Sequence, residues 1–485
     1  MNPECRDKCG VFLACDLGGN QVAMALYWGL VSQNHRGHHS YGLLTFEGKM
    51  HRYSGLGLVP SLRRFLAEGA PERLRGGRGI AHVRYATSGG GDPELLAREA
   101  QPYQLGEQLA LAYNGNLVNV HTLKEATGAV CEVEAAGKKI LEKLGGGLFP
   151  AVENFVNSAE GAYSVVGMTG TGCVFAFRDP LGIRPLCWGK KGELFAVSSE
   201  TVGLDINGIS PQSDVSPGEL MVLTEGGLER VKVAESPRRA LCAFEFAYVA
   251  RPDSVLDGGS PVYKVREEFG RNLAREYPDE ARKVDVVISI PETGDDAAYG
   301  FHEETGIHWE RAVRRHRFIT DRAFISSTSQ RELILSKKIN VSREIRGKKV
   351  AVIDDSIVRG DTSRKIIRQI REAGATEVYL FVTFPKIIAP CFYGIDMATF
   401  GELAASKYSE EEIAKMIGAD KVCYQSLEGY IRATGLRKEE LCLGCLTCQY
   451  PTPLAQKMAD RAKSRFLAGE KEAGRIYESV LDFPG

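Results

Sequence analysis

The sequence predicts two domains: an α+β domain built on antiparallel sheets, followed by an α/β domain built on a parallel sheet. Its length of 485 residues exceeds what one hydrophobic core usually organises. Up to about residue 235, short apolar runs such as residues 161–168 and 192–199 alternate with Gly and Asn, which is typical of strands joined by tight turns. Beyond that point, apolar strands alternate with charged helical stretches, which is the pattern of a parallel sheet.

The second domain is predicted to contain parallel strands joined by a helix. The strands are expected at residues 284–290, 350–353 and 378–383. Between the last two strands, apolar positions at Ile366 and Ile370 indicate an amphipathic helix that packs against the sheet. The order strand, helix, strand is the unit from which parallel sheets are built.

The domain boundaries follow from this change of pattern. The first domain is placed at residues 9–238 and the second at residues 239–452. Residues 453–485 are charged and are predicted to form a helical tail. Residues 1–8 precede the first strand and form a short leader.

Composition and charge exclude several classes of protein. The chain has 61 Lys and Arg against 62 Asp and Glu, a net charge of −1, so it lacks the basic excess of a general nucleic-acid binder. No apolar window is long enough for a membrane-spanning helix, and the first apolar run is too short for a secretory signal. We therefore expect a cytoplasmic protein with neither membrane nor nucleic acid as a partner.

The twelve cysteines are not expected to form a disulfide framework, because the cytoplasm keeps thiols reduced. Three of them, Cys442, Cys445 and Cys448, are separated by two residues each. Such spacing lets one short loop direct several thiolates at a single metal ion or iron–sulfur cluster. Thiolates alone do not distinguish zinc from an iron–sulfur cluster, and a group of free thiols is a further alternative.

The most informative segment is residues 350–363, where a buried strand ends in Asp354 and Asp355 and a Gly-containing loop leads into a helix. Ligands of open parallel sheets bind at the carboxyl ends of the strands, and backbone amides at a helix start suit a phosphate group. The two acids can accept hydrogen bonds from ribose hydroxyls and help to hold Mg²⁺. A charged turn without a ligand is the alternative, which the cost of two acids at the end of a buried strand disfavours.

This segment closely resembles the phosphoribosylpyrophosphate (PRPP) signature of type I phosphoribosyltransferases, and residues 291–293 resemble the loop with which that family contacts Mg²⁺ and pyrophosphate. The resemblance implies that Thr293 joins Asp354 and Asp355 at a Mg²⁺ ion. The implied reaction is displacement of pyrophosphate from C1 of an activated ribose. The PRPP-binding residues implied by the resemblance are Arg317, Lys338, Asp354, Asp355, Ser356, Arg359, Gly360, Thr362 and Ser363.

Cys9 lies close to the start of the chain, at the head of a strand-like run. A thiol at a terminus gains a general base from its own free α-amino group, because the pKa values of the two groups are well matched. This chemistry requires removal of residues 1–8 as a propeptide, so that Cys9 becomes the first residue. For Cys9 taken alone, a buried cysteine in a first strand is the alternative.

Further motifs follow Cys9 in order: His35-Arg-Gly37, residues 82–87 and Tyr113-Asn-Gly-Asn116. Together with Cys9 they resemble a class II glutamine amidotransferase domain, which has the four-layer αββα sandwich of the N-terminal nucleophile enzymes. The resemblance implies that Cys9 attacks the side-chain amide of glutamine and releases ammonia.

The same resemblance implies how glutamine is held. Arg84 pairs with its α-carboxylate, while Asn114 and Gly115 form the oxyanion hole. In the family, an acid about twenty residues beyond the Asn-Gly motif binds the α-amino group, and Glu134 is the residue positioned to replace it here. The extra methylene of Glu134 predicts weaker glutamine binding, unless the role has moved elsewhere.

A glutaminase followed by a phosphoribosyltransferase resembles the glutamine PRPP amidotransferase family, over about residues 9–452. The implied reaction opens purine (IMP) biosynthesis: PRPP, glutamine and water give 5-phosphoribosylamine, pyrophosphate and glutamate. A homotetramer and feedback inhibition by purine nucleotides are further implications. Some members bind a [4Fe–4S] cluster, and Cys442 matches a cysteine that is not usually a ligand of it. By the resemblance, the cluster ligands are Cys242, Cys391, Cys445 and Cys448.

Two alternative functions stay open on the sequence alone. The first keeps the transferase but runs on free ammonia or another amine, which the altered region around Glu134 and the bulky Tyr41 motivate. The second is a non-catalytic protein that senses PRPP or nucleotides, which an altered loop near residues 331–338 motivates. Because a sensor has no use for an oxyanion hole, the sequence favours the enzyme.

Overall fold

A computed structural model gives the structure of the chain. It describes residues 9–85, 93–224, 226–316, 339–470 and residue 472. The predicted propeptide at residues 1–8 lies outside these ranges. Arg317 and Lys338, two of the predicted PRPP-binding residues, also lie outside the described residues.

The first domain is built on a pair of antiparallel sheets. The first sheet has the strand order Ser210–Asp214, Cys187–Lys191, Leu194–Ser198, Gly10–Asp16, Arg78–Arg84, Ser40–Phe46 and Met50–Leu56. The second sheet has the strand order Gly227–Lys232, Glu219–Thr224, Val174–Arg178, Gly161–Thr169, Leu109–Leu117 and Tyr103–Leu105. Because Gly10–Asp16 pairs with a neighbour on both edges, the position of Cys9 at its head is fixed.

Alternating side chains along the strands separate the layers of this domain. Val11 and Leu13 pack into the core between the two sheets, whereas Phe12 and Ala14 pack under the helices. Helices over the first sheet are Ala23–Ser32, Leu62–Ala67, Ala70–Arg73 and Thr201–Asp205. Helices over the second sheet are Val120–Thr127, Glu132–Leu144 and Leu148–Ser158. The result is the predicted αββα sandwich.

The second domain is built on a parallel sheet, as predicted, and helices cover both of its faces. Its strand order is Val286–Ser289, Lys349–Asp354, Glu377–Val382 and Lys421–Tyr424. Helices Val262–Glu276 and Asp295–Thr305 pack on one face, and helices Asp361–Glu372 and Glu410–Ile417 pack on the other. The predicted strands match the observed ones to within two residues, and Ile366 and Ile370 are buried against the sheet.

Smaller elements complete the described fold. A parallel pair joins Leu241–Cys242 to Leu441–Cys442, and an antiparallel pair joins Val313–Arg315 to Ile339–Val341. The remaining α-helices are Pro93–Arg98, Pro278–Ala281, Ala404–Lys407, Leu427–Thr434, Gly444–Thr447 and Pro453–Leu467. Short 3₁₀ turns lie at Asn34–Arg36, Arg343–Ile345, Phe400–Glu402 and Lys438–Glu440, and a π-helical turn lies at Glu245–Val249.

The two domains share a hydrophobic core. It contains Val118 and Ala162 of the first domain together with Phe384 and Phe392 of the second. A polar contact crosses the same boundary, because the side-chain Nδ2 of Asn116 donates to the carbonyl oxygen of Phe392 at 2.9 Å. The two halves of the chain are therefore packed directly against each other.

Candidate active sites

Cys9 lies at the head of the strand Gly10–Asp16, and the antiparallel register places it beside the end of the strand Arg78–Arg84. The Sγ atom of Cys9 lies 3.8 Å from the carbonyl oxygen of Tyr85. The residue is half-buried. The predicted nucleophile and the predicted carboxylate-binding residue Arg84 are thus brought together at adjacent strand ends.

Asn114 reaches this region from the second sheet. It is buried on the strand Leu109–Leu117, and its Nδ2 donates to the hydroxyl of Ser199 at 3.5 Å. The same hydroxyl accepts a hydrogen bond from the backbone N–H of Val11 at 3.0 Å. One shared hydroxyl therefore links the predicted oxyanion-hole residue to the strand that follows Cys9.

Two further contacts hold the strand that carries Asn114. A Cβ at Gly115 would lie 1.9 Å from the carbonyl oxygen of Ala162, so this close approach requires glycine. Nε2 of His82 lies 3.0 Å from the carbonyl oxygen of Tyr113 and ties the two sheets together. Burial, with a smaller contribution from the charge of Arg84, lowers the pKa of His82 to about 3, so the ring is neutral and Nε2–H donates to Tyr113.

Arg84 pairs with an acid that the sequence analysis did not identify. Its Nη2 forms an ion pair with Oε2 of Glu99, and both side chains are nearly buried. The other terminal nitrogen, Nη1, is buried and makes no hydrogen bond with any described residue. This open donor is suited to a substrate carboxylate, which guanidinium groups bind with two parallel hydrogen bonds.

Glu134, the predicted α-amino ligand, has other partners in the structure. It lies in the first turn of the helix Glu132–Leu144, where its Oε2 accepts a hydrogen bond from the N–H of Val130 at 2.8 Å. Its Oε1 lies 3.0 Å from Nζ of Lys138. Burial alone would raise the pKa of Glu134, but the Val130 N–H and Lys138 together hold it below its ordinary value.

Arg36, in the predicted His-Arg-Gly motif, lies at the base of the Cys9 site. Its guanidinium is fully buried and forms ion pairs with Glu200 and with Glu245 of the second domain. Nε2 of His35 also lies 2.7 Å from the Glu200 carboxylate. Although burial acts to raise the pKa of Glu200, His35 and Arg36 hold it well below the ordinary value. The His-Arg-Gly motif by itself did not indicate these partners.

The two predicted motifs of the second domain meet at the carboxyl ends of neighbouring strands. Asp354 and Asp355 are each 7% exposed at the end of the strand Lys349–Asp354. The hydroxyl of Thr293, which follows the adjacent strand, donates to Oδ2 of Asp355. Ser356 donates to the other oxygen of Asp355 at 2.6 Å. Hydroxyl and carboxylate oxygens are the ligands that Mg²⁺ prefers.

The loop after these acids has the shape that the sequence predicts. Gly360 adopts a left-handed conformation with φ of 86° and directly precedes the helix Asp361–Glu372, so Thr362 and Ser363 lie in its first turn. Arg359, a predicted PRPP-binding residue, forms an ion pair with Glu402. The helix start therefore offers backbone amides and hydroxyls to an anion.

Four of the cysteines surround one cavity where the carboxyl-terminal segment meets the rest of the chain. The cysteines that line it are Cys242, Cys391, Cys442 and Cys445, together with apolar side chains such as Phe244, Met397 and Tyr450. Cys242 and Cys442 lie opposite each other on paired parallel strands. Burial raises the pKa of the Cys242 thiol to about 12 and that of Cys442 above its ordinary value.

The cavity differs from the predicted ligand set at one position. Cys442, which the sequence analysis set aside, lines it, whereas Cys448 does not belong to the lining. Cys448 ends the short helix Gly444–Thr447 in a left-handed conformation with φ of 58°. Besides burial, which raises the pKa of Cys448, the charges that act on it are those of Lys463 and Asp460.

Comparison with known proteins identifies relatives of both domains. Residues 91–205 match the model of a glutamine amidotransferase domain. The amidophosphoribosyltransferase of Archaeoglobus fulgidus is 39% identical over 458 residues, which cover 91% of this chain and 98% of the relative. The amidophosphoribosyltransferase of Bacillus subtilis is 37% identical over 465 residues, which cover 93% of this chain and 95% of the relative. The chain belongs to the amidophosphoribosyltransferase family.

Solved structures agree with this membership. The glutamine PRPP amidotransferase of B. subtilis, complexed with ADP and GMP, has a TM-score of 0.83 and 35% identity, covering 92% of this chain and 98% of that one. A structure described as the allosteric regulatory enzyme of purine biosynthesis has a TM-score of 0.84 and 34% identity, covering 98% of this chain and all of that one. The amidophosphoribosyltransferase fold thus extends over both domains.

In this amidophosphoribosyltransferase chain, two features of the glutaminase site were not predicted from the sequence: the pairing of Arg84 with Glu99 and the partners of Arg36. Glu99 belongs to none of the motifs. It pairs with Arg84 because the chain directly after the helix Pro93–Arg98 lies against the end of the strand that carries Arg84. The partners of Arg36 are 164 and 209 residues away in sequence.

Among the described helices, none has the length and apolar character needed to cross a bilayer.

Proposed function

We propose that the chain forms 5-phosphoribosylamine, pyrophosphate and glutamate from PRPP, glutamine and water, as the first committed step of purine (IMP) biosynthesis. The observation that carries the proposal is a hydrogen bond between the glutaminase domain and the transferase domain. The strand with Asn114 and Gly115 also carries Asn116, whose Nδ2 donates to the carbonyl oxygen of Phe392 in the second domain at 2.9 Å. A glutaminase site fixed to a transferase domain suits an enzyme that makes ammonia at one site and uses it at another.

In the glutaminase half, the sulfur of Cys9 attacks the side-chain amide carbon of glutamine, and the thiol proton passes to the α-amino group of Cys9. Removal of residues 1–8 frees that amino group. Asn114 Nδ2 and the N–H of Gly115 donate to the oxygen that becomes negative, and Arg84 binds the α-carboxylate. Ammonia leaves with the transferred proton, and water then releases glutamate from the thioester.

In the transferase half, the nitrogen of ammonia bonds to C1 of PRPP while the bond from C1 to the pyrophosphate oxygen breaks. Pyrophosphate leaves with the electron pair, and the new amine loses a proton. The first turn of the helix Asp361–Glu372 binds the 5′-phosphate through its amides and the Thr362 and Ser363 hydroxyls. Asp354 and Asp355 accept hydrogen bonds from the ribose hydroxyls.

The oxygen donors at the ends of these strands fit Mg²⁺, which proteins commonly hold through one or two carboxylates plus substrate phosphates. Asp354, Asp355 and Thr293 would hold the ion. When bound, Mg²⁺ supplies positive charge that stabilises the departing pyrophosphate.

We also propose a [4Fe–4S] cluster in the cysteine cavity, with zinc as the alternative. Thiolates are the usual ligands of such clusters, and Cys242, Cys391, Cys442 and Cys445 surround the cavity. In the described part of the chain, no three His, Cys, Asp or Glu side chains are grouped closely enough to hold a metal ion. The cluster would tie the carboxyl-terminal segment to the rest of the chain.

Regulation and assembly are part of the same proposal. The B. subtilis structure is described as a complex with ADP and GMP, which supports the binding of purine nucleotides to this chain, and feedback inhibition by them stays a prediction from the family resemblance. A homotetramer stays a prediction from the family resemblance, and a cytoplasmic location stays a prediction from the sequence. Size-exclusion chromatography with light scattering measures the first of these directly.

A second candidate is a transferase that uses free ammonia because its glutaminase is impaired. The observation that favours it is the engagement of both Glu134 oxygens by Val130 and Lys138, which leaves the predicted α-amino ligand occupied. In that case replacement of Cys9 would not change the activity.

The test is pyrophosphate release from PRPP by anaerobically purified protein with Mg²⁺, comparing glutamine with ammonium chloride. We expect release with both, and Cys9→Ala should abolish the glutamine reaction alone. Release with ammonia only would support the second candidate. Absence of release with either amine would contradict the enzyme and leave the non-catalytic sensor.

A further inference from the structure

The glutaminase site contains a buried ion pair whose acid has no assigned role. Nη2 of Arg84 and Oε2 of Glu99 are 2.5 Å apart, and the two side chains are 10% and 11% exposed. A buried charge pair is costly unless further groups satisfy it, and removal of one partner leaves the other uncompensated. A pair with open hydrogen-bonding positions beside a nucleophile is therefore a candidate for binding a charged ligand.

The backbone around Glu99 is held firmly. Nη2 of Arg52 donates to the carbonyl oxygen of Ala100 at 2.7 Å. Oε1 of Gln101 accepts a hydrogen bond from the N–H of Tyr113 at 2.8 Å, next to Asn114. Glu99 is consequently fixed with respect to the same strand that carries the predicted oxyanion hole.

Both members of the pair have capacity left for a ligand. Nη1 of Arg84 is buried and makes no hydrogen bond with a described residue. The hydrogen bond that Glu99 accepts within the described residues goes to Oε2, which leaves Oε1 available. One open donor and one open acceptor thus belong to two side chains that are in contact with each other.

This arrangement matches the charged end of glutamine. The α-carboxylate and the α-ammonium group are attached to one carbon, so an arginine and an acid that are in contact can bind both at once. Glutamine has no net charge at neutral pH, and neither does the Arg84–Glu99 pair. Binding therefore buries no net charge, which avoids the largest desolvation cost.

Glu134 is less suited to the same task. Its two oxygens are engaged by the N–H of Val130 at 2.8 Å and by Nζ of Lys138 at 3.0 Å. Lys138 already balances its charge, and the bond from the Val130 N–H fixes the Glu134 side chain against the residue that precedes the helix N-cap. Binding an ammonium group there would require breaking contacts that stabilise the folded chain.

We propose that Glu99, rather than Glu134, binds the α-ammonium group of glutamine beside Arg84 and so makes the glutaminase specific for an α-amino acid. This inference rests on the proposed glutaminase function. It assigns a substrate-binding role to an acid outside every motif that the sequence analysis used.

The test compares glutamine with glutaramate, which has the same amide and carboxylate but lacks the α-amino group. The kcat/KM for amide hydrolysis is measured for the full-length, processed protein and for Glu99→Gln and Glu134→Gln. We expect Glu99→Gln to lower the ratio of the two kcat/KM values by about 10- to 100-fold, the worth of one charged hydrogen bond. Glu134→Gln should change both values by the same factor, and thermal unfolding checks that each variant is folded.

Three outcomes would overturn the proposal. An equal loss for both substrates in Glu99→Gln would mean that Glu99 only positions Arg84. A higher kcat/KM for glutamine in Glu99→Gln than in the parent would mean that Glu99 competes with the substrate carboxylate. A collapse of the ratio in Glu134→Gln alone would assign the role to Glu134.

Equilibrium binding separates this inference from the proposed activity. Calorimetric titration of glutamine and glutaramate into Cys9→Ala, with and without Glu99→Gln, reports the same preference without turnover. The parent could show no hydrolysis while Cys9→Ala binds glutamine more tightly than glutaramate and Glu99→Gln removes that preference. This result would support the inference and contradict the proposed activity. Equal binding of the two compounds, or no binding of either, would overturn the inference.

Discussion

Arg36 donates a hydrogen bond from Nε to the carbonyl oxygen of Cys9 at 2.9 Å. The terminal nitrogens of the same guanidinium pair with Glu200 and with Glu245, which lies in the second domain. Glu245 also accepts a hydrogen bond from Arg184 at 3.1 Å. One buried cation thus connects the backbone of the predicted nucleophile to the transferase half, so the position of Cys9 depends on the packing of the two domains.

Replacement of Arg36 by Met should destabilise the chain strongly. It leaves Glu200 and Glu245 buried with part of their charge uncompensated, which we expect to lower the free energy of unfolding by about 3–5 kcal/mol. Urea denaturation followed by circular dichroism measures this change. The matched control is Arg64→Met, because Arg64 pairs with Glu68 at the surface and should contribute little. Equal midpoints for the two variants would contradict the prediction.

Replacement of Asp355 by Asn should impair the transferase with either amine. The change removes the charge that Thr293 and Ser356 contact, and pyrophosphate release should fall about 100-fold with glutamine and with ammonia alike. The control is Glu377→Gln, an exposed member of a pair with Lys349 at the opposite end of the sheet. A variant Asp355→Asn that responds to Mg²⁺ as the parent does would remove Asp355 from the metal site.

The family resemblance implied that Thr293 lies beside Asp355, and the direction of the strands gives the physical reason. Each residue follows a short apolar strand, and the carboxyl ends of adjacent parallel strands meet at one edge of the sheet. The loop could be predicted as well, because Gly360 supplies the left-handed turn that precedes the helix Asp361–Glu372. The resemblance was needed for the first feature, whereas the local pattern predicted a Gly-containing loop that leads into a helix.

The Arg84–Glu99 pair and the cavity cysteines could not be predicted in this way. Glu99 directly follows the helix Pro93–Arg98, and no periodic pattern in the sequence indicates that it contacts Arg84. The even spacing of Cys442, Cys445 and Cys448 does not tell which two face the cavity. That choice follows from the register of Cys442 with Cys242 across strands about 200 residues apart in sequence, a long-range pairing.

Stability should decrease in mild acid partly because of His82. Its pKa in the folded chain is about 3, below the ordinary 6.5, because the ring is buried. As the pH falls below about 6.5, the unfolded chain binds a proton that the folded chain does not. The free energy of unfolding should therefore decrease by about 1.4 kcal/mol per pH unit from this residue, until the pH approaches 3.

The measurement for His82 is the free energy of unfolding from urea titrations at pH 7.0 and at about pH 5. His82→Gln should show a smaller difference between the two values than the parent. His308→Gln is the matched control, since the His308 side chain is 71% exposed and the variant should follow the parent. The same pH dependence in all three proteins would contradict a neutral, buried His82.

The cysteine cavity gives a prediction that does not depend on activity. Cys442 lies in register with Cys242 on the cavity wall, whereas Cys448 lies outside the lining. We therefore expect anaerobically purified Cys442→Ser to lose most of its bound iron and acid-labile sulfide, and Cys448→Ser to retain both. Each variant replaces one sulfur atom by oxygen, so each serves as the control for the other. Iron loss in Cys448→Ser alone would restore the ligand set expected from the sequence, and zinc without sulfide in the parent would exclude the cluster.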